Sequence, residues 1–357
     1  MIFFATLFLV YAVLVLTCCF KFLRYNVVKT TDYTREVSVL VAAKNEEKNI
    51  VKFLKCLENQ TYTNFKIILI DDNSTDSTFS LAENYGLKNL ILKKNPNSGK
   101  KSALKFGSQF LSGEYVILTD ADCFMNENWL ETIVSISVAN NFDMILSPVV
   151  ICAENVKSLF QRLWQAESCS FITITAGSCI ASKPVMCNGG NIGYKTDFFV
   201  ENLSGFNQKF FSGDDMFMLE RAKKMHKKIG YVKNPNALVE TFGPETFKSL
   251  FNQRSRWVSK TSGYRDFFTL FFAFIVFSAN IGVIVLLVLS ALKIISPIFF
   301  VLMFLLKFFA DFLSVKLPKD FFKIRVKFFD IIVLALFYPY YVFFTVVTSL
   351  LKGFKWK

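Results

Sequence analysis

VILTDADC, residues 116–123, is an apolar run that ends on two aspartates separated by one alanine. Read as a strand, its side chains alternate between faces, so Asp120 and Asp122 are expected to project to one side. Two carboxylates that close repel each other unless a positive group lies between them. Such a pair at the carboxyl end of a strand suits a hard divalent cation with oxygen ligands. It equally suits two loop carboxylates or helix caps. The flanking sequence weighs these readings against each other.

Upstream, VSVLVAA (37–43), KIILID (66–71) and NLIL (89–92) read as buried strands, with EYVILTD (114–120) as the fourth and FDMILSPV (142–149) as the fifth. Helical periodicity is expected over 46–59, 77–85 and 102–111. Strands separated by helices predict an α/β fold with a mostly parallel sheet covered on both faces. Ligands bind such sheets at the carboxyl ends of the strands. That edge collects Lys44-Asn45, Asp71-Asp72, the loop 94–101, and Asp120 with Asp122.

Each of these has a plain alternative. In DDNSTDST (71–78), Ser74 and Asp76 can cap the next helix. Asp71 and Asp72 are not needed for capping and can accept from a base N–H or ribose hydroxyls. NSGKKSALKFG (97–107) places lysines at a helix start, favourable for phosphate, without the full P-loop spacing. In MCNGGNIGYKTDFF (186–199), Gly189 and Gly190 let backbone approach a ligand between Asn188 and Asn191, or make a simple turn. FFSGDDMFML (210–219) places Asp214 and Asp215 before an apolar helix, where one aspartate suffices as a cap and the other is available as a base.

The ends of the chain belong to a different solvent. Of 357 residues 53% are hydrophobic, and the mean hydropathy of +0.38 is too apolar for a purely soluble chain. Residues 2–20 carry no charge and are long enough to cross a bilayer. Lys21 and Arg24 follow them where a signal peptide would have a small-residue cleavage site, so an uncleaved anchor over 1–24 is expected. Stretches 267–292 and 328–351 are further spans, and 294–315 is a third candidate whose Lys307 and Asp311 either pair within a bundle or lie at the interface. Lys21, Arg24 and Lys29 on one side of the middle domain, and Arg254, Arg256, Lys260 and Arg265 on the other, place that domain in the cytoplasm by the positive-inside rule. The basic tail KGFKWK then falls on the outside, against that rule.

The net charge of +13 lies beside these spans and in RAKKMHKKIG (221–230), where it suits anionic lipid headgroups. No zinc-finger spacing or RNP-like motif accompanies it, so nucleic acid is not expected as a partner. Eight cysteines without a C-x-x-C pair read as packing residues. The expected organisation is an anchor over 1–24, a catalytic domain over 25–246, an amphipathic interfacial helix within 247–266, and a transmembrane region over 267–357.

In order, the chain shows VAAKNEE, DDNSTD, GKKSAL, LTDADC, CNGGNIGY, SGDD and QRSRW. This series resembles the membrane-bound family-2 glycosyltransferases with a GT-A fold, a Rossmann-like α/β architecture, over about residues 37–260. That family includes cellulose, chitin, hyaluronan and poly-N-acetylglucosamine synthases, with relatives that glycosylate lipids once. By position, the resemblance implies that Asp72 recognises the nucleotide base in a pocket lined by Ala42 and Lys44, and that Lys100 contacts the nucleotide. It implies that Asp120 faces the nucleotide while Asp122 holds Mg²⁺ or Mn²⁺ on the diphosphate, and that Asp215 is the catalytic base beside Asp214. Gln253, Arg256 and Trp257 match a Q-x-x-R-W motif that contacts diphosphate and acceptor. Gly190 stands where many relatives have alanine, and Asp214-Asp215 where many have Glu-Asp.

The implied partners are a nucleotide-sugar donor, expected to be a UDP-sugar, a lipid or glycan acceptor, and the lipids of a bacterial inner membrane. The slim set of C-terminal spans favours a single transfer over a processive synthase. A membrane nucleotidyltransferase or an inactive scaffold would leave SGDD and QRSRW unexplained.

Overall fold

The computed structural model describes residues 1–26, 31–152, 158–203, 213–244, 246–259 and 261–352. Lys29, Lys260, the stretch 210–212 and the basic residues after Lys352 lie outside them. The described chain divides into two compact units: residues 26–150 with 186–242, and residues 1–25 with 151–185 and 243–357.

The first is the sheet unit. Its strands are β1 (Val37–Ala43), β2 (Phe65–Asp71), β3 (Leu90–Lys94) and β4 (Tyr115–Thr119), interleaved with helices α2 (Ile50–Glu58), α3 (Thr78–Tyr85) and α4 (Lys100–Gly107). After β4 come β5 (Cys123–Met125), α5 (Trp129–Asn140) and β6 (Met144–Leu146); later come β8 (Asn191–Lys195), α7 (Thr196–Asn202), α8 (Asp214–Lys224), β9 (Ile229–Tyr231) and β10 (Val239–Phe242). The main sheet has the order β3-β2-β1-β4-β8-β6-β9. Strands β3, β2, β1 and β4 run parallel, β8 is antiparallel to both its neighbours, and β9 is parallel to β6. A small antiparallel pair joins β5 to β10.

Strands β1, β2 and β4 are short runs of β-branched and apolar residues buried on both faces, and β3 is a half-buried edge strand that ends on Lys93 and Lys94. Helices α2, α3 and α5 close one face through Ile50, Phe53, Leu54, Leu57, Ala82, Trp129 and Ile133. Helix α4 lies against β1 and β2 at Gly107, where a Cβ would meet the Leu40 side chain at 2.5 Å.

Expectations for the fifth strand and the first helix of the sheet unit change. The fifth strand splits into β6 and β7 (Val149–Cys152) around Ser147-Pro148, because a proline cannot donate to a ladder. Helix α2 begins at Ile50, because residues 45–49 are spent on a turn with Asn45 at φ 56°. That turn is tied to the loop after β2: Asn45, Glu46 and Glu47 donate their backbone N–H groups to Ser74, Thr78 and Asp76 at 3.0, 2.7 and 3.2 Å. Ser74 and Asp76 thus fasten two loops of the binding edge together.

The second, helical unit contains α1 (Ile2–Arg24), α6 (Leu159–Ile180), α9 (Phe247–Ser259), α10 (Phe267–Ala291), α11 (Pro297–Phe321) and α12 (Phe328–Lys352). Four of them, over Ile2–Arg24, Phe267–Ala291, Pro297–Phe321 and Phe328–Ser349, are long and apolar enough to cross a membrane. Helix α11 runs several residues later than the expected 294–315. Ser296 and Pro297 start it, proline at the first helical position costing no hydrogen bond. Its Lys307 and Asp311 do pair, at 2.6 Å, and Tyr11 of α1 donates to the same carboxylate. Helix α6 escaped the sequence reading: it carries Gln, Glu, Ser and Thr along its length yet is largely buried. It packs on α1, α11 and α12, and at Gly177 a Cβ would meet the Cys18 carbonyl oxygen at 2.3 Å. Its placement assigns residues 151–185 to the helical unit, inside the range 25–246 expected for the catalytic domain.

Candidate active site

Four loops, the first two acting together, build the candidate site at the carboxyl edge of the parallel strands. The first two follow β2 and β3 and are tied to each other. Asp72 is buried, and its Oδ1 accepts from Asn95 Nδ2 and from the Gly99 backbone N–H, both at 2.7 Å. Lys44 Nζ stands 4.0 Å from the other oxygen. Gly99 has φ +100°, a backbone region where an L side chain is strained, and a glycine is needed there to turn the chain into α4. The carboxylate of Asp72 therefore fixes the turn that starts the helix carrying Lys100. Ala42 stands in β1 opposite Ile70, half-buried, and Asp71 accepts from Ser74 N–H at 3.2 Å.

The third loop is the aspartate pair itself. Strand β4 ends at Thr119, and Asp120-Ala121-Asp122 form a turn closed by a hydrogen bond from Cys123 N–H to the Asp120 carbonyl at 3.0 Å. The two acids converge through a turn, whereas alternation along a strand was expected. Lys100 Nζ pairs with Asp120. Burial disfavours the lysine's charge, but Asp120, Asp214 and Asp215 more than offset it and raise its pKa. Among the described residues no lysine pairs with Asp122 in this way: burial, then the charges of Asp120 and Glu46, push its carboxyl up to about 6, Lys100 opposing.

The fourth loop is Asn188-Gly189-Gly190, followed by β8. Asn188 Oδ1 accepts from Gly190 N–H at 3.0 Å, and Thr119 Oγ1 donates to the Gly190 carbonyl at 2.9 Å. Gly189 N–H donates to Asp215 Oδ2 at 3.1 Å. Asp215 lies in the first turn of α8. Its neighbour Asp214 is buried with Lys101 Nζ at 3.5 Å. A Cβ on Gly190 would meet Cys123 Sγ at 3.2 Å, a close contact that glycine removes.

Asn191 is used differently from the expected substrate contact. It is 1% exposed, donates through Nδ2 to the Pro148 and Ala237 carbonyls at 2.8 Å each, and accepts from Trp129 Nε1 at 3.1 Å. Its side chain ties loops of the fold together. Conversely, Glu46 and Lys101 join the charge cluster, although the site reading passed over them. Both stood inside motifs already noticed, VAAKNEE and GKKSAL.

The donor set fits a hard divalent ion. Ligand atoms of Asp120, Asp122 and Cys123 all lie within 4.8 Å of one another. Burial raises the Cys123 thiol, which leaves it a neutral packing group and the two carboxylates as the ligands. A carboxyl raised by burial and like charge is what a bound cation relieves.

In the helical unit, α9 carries the Q-x-x-R-W residues. Gln253, Arg256 and Trp257 are all half-buried, and Arg254 between them is buried.

This geometry meets matches in known proteins. Residues 38–203 fit the model described as glycosyl transferase family 2. The chain carries a family-2 glycosyltransferase domain. The chain is similar to the 4,4'-diaponeurosporenoate glycosyltransferase of Staphylococcus haemolyticus, 30% identical over 164 residues, covering 43% of this chain and 44% of that protein. It is also similar to the cholesterol galactosyltransferase of Borreliella burgdorferi, 33% identical over 126 residues, covering 34% and 35% respectively. The match thus spans less than half the length of these curated relatives. Among solved structures, the mannosyltransferase PcManGT from Pyrobaculum calidifontis, in complex with GDP-Man and Mn²⁺, shares the fold with a TM-score of 0.61 at 16% identity, covering 99% of this chain and 98% of that one. The sheet of the glycosyltransferase domain is accordingly of the GT-A type, and the Asp120–Asp122 turn ends the fourth parallel strand of its β3-β2-β1-β4 half.

Proposed function

We propose that this protein is an inverting glycosyltransferase that moves a sugar from a nucleotide-diphosphate sugar to a hydroxyl of a lipid or lipid-linked acceptor. One observation carries the reading. A partly exposed carboxylate, Asp215, is oriented by the Gly189 N–H beside a lysine and an aspartate pair that fit a metal-bound diphosphate.

Asp215 accepts the proton of the acceptor hydroxyl, whose oxygen forms a bond to the anomeric carbon as the bond from that carbon to the diphosphate oxygen breaks. Attack comes from the face opposite the nucleotide, so configuration inverts. Lys100 stabilises the charge on the departing diphosphate, which leaves unprotonated. Asp122 and Asp120 would hold Mg²⁺ or Mn²⁺, which when bound supplies Lewis-acid stabilisation of phosphate oxygens. Asp72, Lys44 and Ala42 border the base-binding side, and Asn188 with Gly190 shapes the loop that presents Gly189. Asp214 holds Lys101 in the cluster, and Gln253, Arg256 and Trp257 serve diphosphate and acceptor.

A lipid acceptor is supported by the four apolar helices and by relatives named for cholesterol and 4,4'-diaponeurosporenoate. The basic residues flanking those helices favour a bacterial inner membrane with the sheet unit in the cytoplasm.

The test incubates detergent-purified protein and membrane lipids with a panel of UDP- and GDP-sugars and Mg²⁺ or Mn²⁺. Nucleotide release with one donor and a single glycolipid product is expected, with Asp215→Asn slowing it about a thousandfold. A product ladder would indicate a processive synthase instead. Unchanged turnover in Asp215→Asn would remove the base assignment.

A further inference from the structure

In the helical unit, Glu167 on α6 and Arg254 on α9 are 2% and 4% exposed and form an ion pair through Arg254 Nη2. Arg254 Nε donates to the Tyr341 hydroxyl of α12 at 2.9 Å. The guanidinium carbon also lies 4.0 Å from the ring centroid of Trp257, three residues on along the same helix, and 5.4 Å from that of Phe171. Phe171 and Trp257 are themselves in ring contact at 6.1 Å. Arg254 is thus held by a carboxylate and a phenol with its guanidinium carbon over the indole.

Stability alone does not call for this arrangement. Two charges taken out of water repay their desolvation only with good geometry, and an apolar pair of similar volume is commonly as stable or more so. What a carboxylate-held guanidinium gives, and an apolar pair does not, is a fixed flat cation for an indole to stack on. The indole it fixes is Trp257, and Arg254 stands between Gln253 and Arg256.

We propose that Glu167 and Arg254 are positioning residues for glycosyl transfer: Glu167 orients the Arg254 guanidinium, which sets the Trp257 ring and with it the helical turn presenting Gln253 and Arg256. This rests on the transferase reading above and on the Q-x-x-R-W residues serving its substrates.

The test uses the full chain in detergent or proteoliposomes with the donor found in the panel. Initial rates over donor and acceptor concentration are measured together with the thermal midpoint. Glu167→Gln is expected to lower kcat at least tenfold, and Glu167→Asp, which keeps the carboxylate, to recover part of that loss. Arg254→Lys keeps the charge without the flat face. It should hold the thermal midpoint near that of the parent while kcat falls about tenfold. The exchange E167R/R254E restores the ion pair but puts a carboxylate against Trp257, so it should recover thermal stability and not kcat.

If kcat instead follows the thermal midpoint through the series, or the exchange restores both, the pair is architectural and the inference fails. Should the exchange variant not fold, Arg254→Lys decides alone, and full activity there overturns the proposal. Asp215→Asn and Arg256→Ala are assayed alongside. If both keep full turnover, the base assignment and the role of the Q-x-x-R-W residues have failed; if the parent protein itself turns over no donor of the panel, the transferase reading has. If both lose it while the Glu167 series tracks stability, only the positioning role has.

Discussion

Charges in the two units are handled in opposite ways. In the helical unit, Glu167–Arg254, Arg162–Asp330 and Lys307–Asp311 each join opposite charges, with at least one side chain 5% exposed or less. At the edge of the sheet unit, Lys100 and Asp120 keep 38% and 36% of their side-chain surface. There the acids outnumber the lysines facing them, and Asp122 is pushed up to about 6. Charges in an apolar surrounding have to be matched inside the protein, whereas a mismatched and accessible set is left to be completed by a ligand. The helical unit uses charge to hold helices; under the proposed function the sheet unit uses it to hold a substrate.

Removing charge at the sheet edge should therefore cost turnover and leave the fold intact. Asp122→Asn is expected to lower kcat/KM about a hundred- to a thousandfold, with the loss partly recovered by raising Mn²⁺. A steady-state metal titration at fixed donor reads this, and an unchanged metal response would remove Asp122 as a ligand. Lys100→Met should act mostly on kcat, by about a hundredfold, since the charge it meets grows as the diphosphate departs. A pure KM effect would make it a binding residue only.

Inside the proteins' matched regions the pattern should reverse. Asn191→Ala strips partners from Trp129 Nε1 and from the Pro148 and Ala237 carbonyls and should destabilise the sheet unit by about 3 kcal/mol. The fraction that remains folded should turn over normally, and a selective rise in donor KM would return Asn191 to the substrate contacts. Lys307→Met, which leaves Asp311 to Tyr11 alone, should cost about 2 kcal/mol, with K307M/D311L recovering most of it. Thermal unfolding in detergent distinguishes this from a pair that contributes nothing.

The parallel strands and their carboxyl edge were legible because buried β-branched runs between amphipathic helices admit few arrangements. The acids and lysines of the site followed from where those runs stop. Helix α6 was not legible, since its Ser, Thr, Gln and Glu residues read as solvent-exposed while tertiary packing buries them. Strands β9 and β10 are too short to leave a periodic pattern, while β8 opens on Asn-Ile-Gly and pairs antiparallel where alternation with helices suggested parallel neighbours. Asn191 looked like a ligand contact because it flanks Gly-Gly, but only the fold shows the two carbonyls and the indole it serves.

The most direct test of the account is the configuration of the product linkage. With Asp215 as the single base and an unprotonated diphosphate leaving, an α-linked donor should give a β-linked product, read from the anomeric proton coupling by NMR. A product that retains the α configuration would contradict a single displacement and with it the role of Asp215.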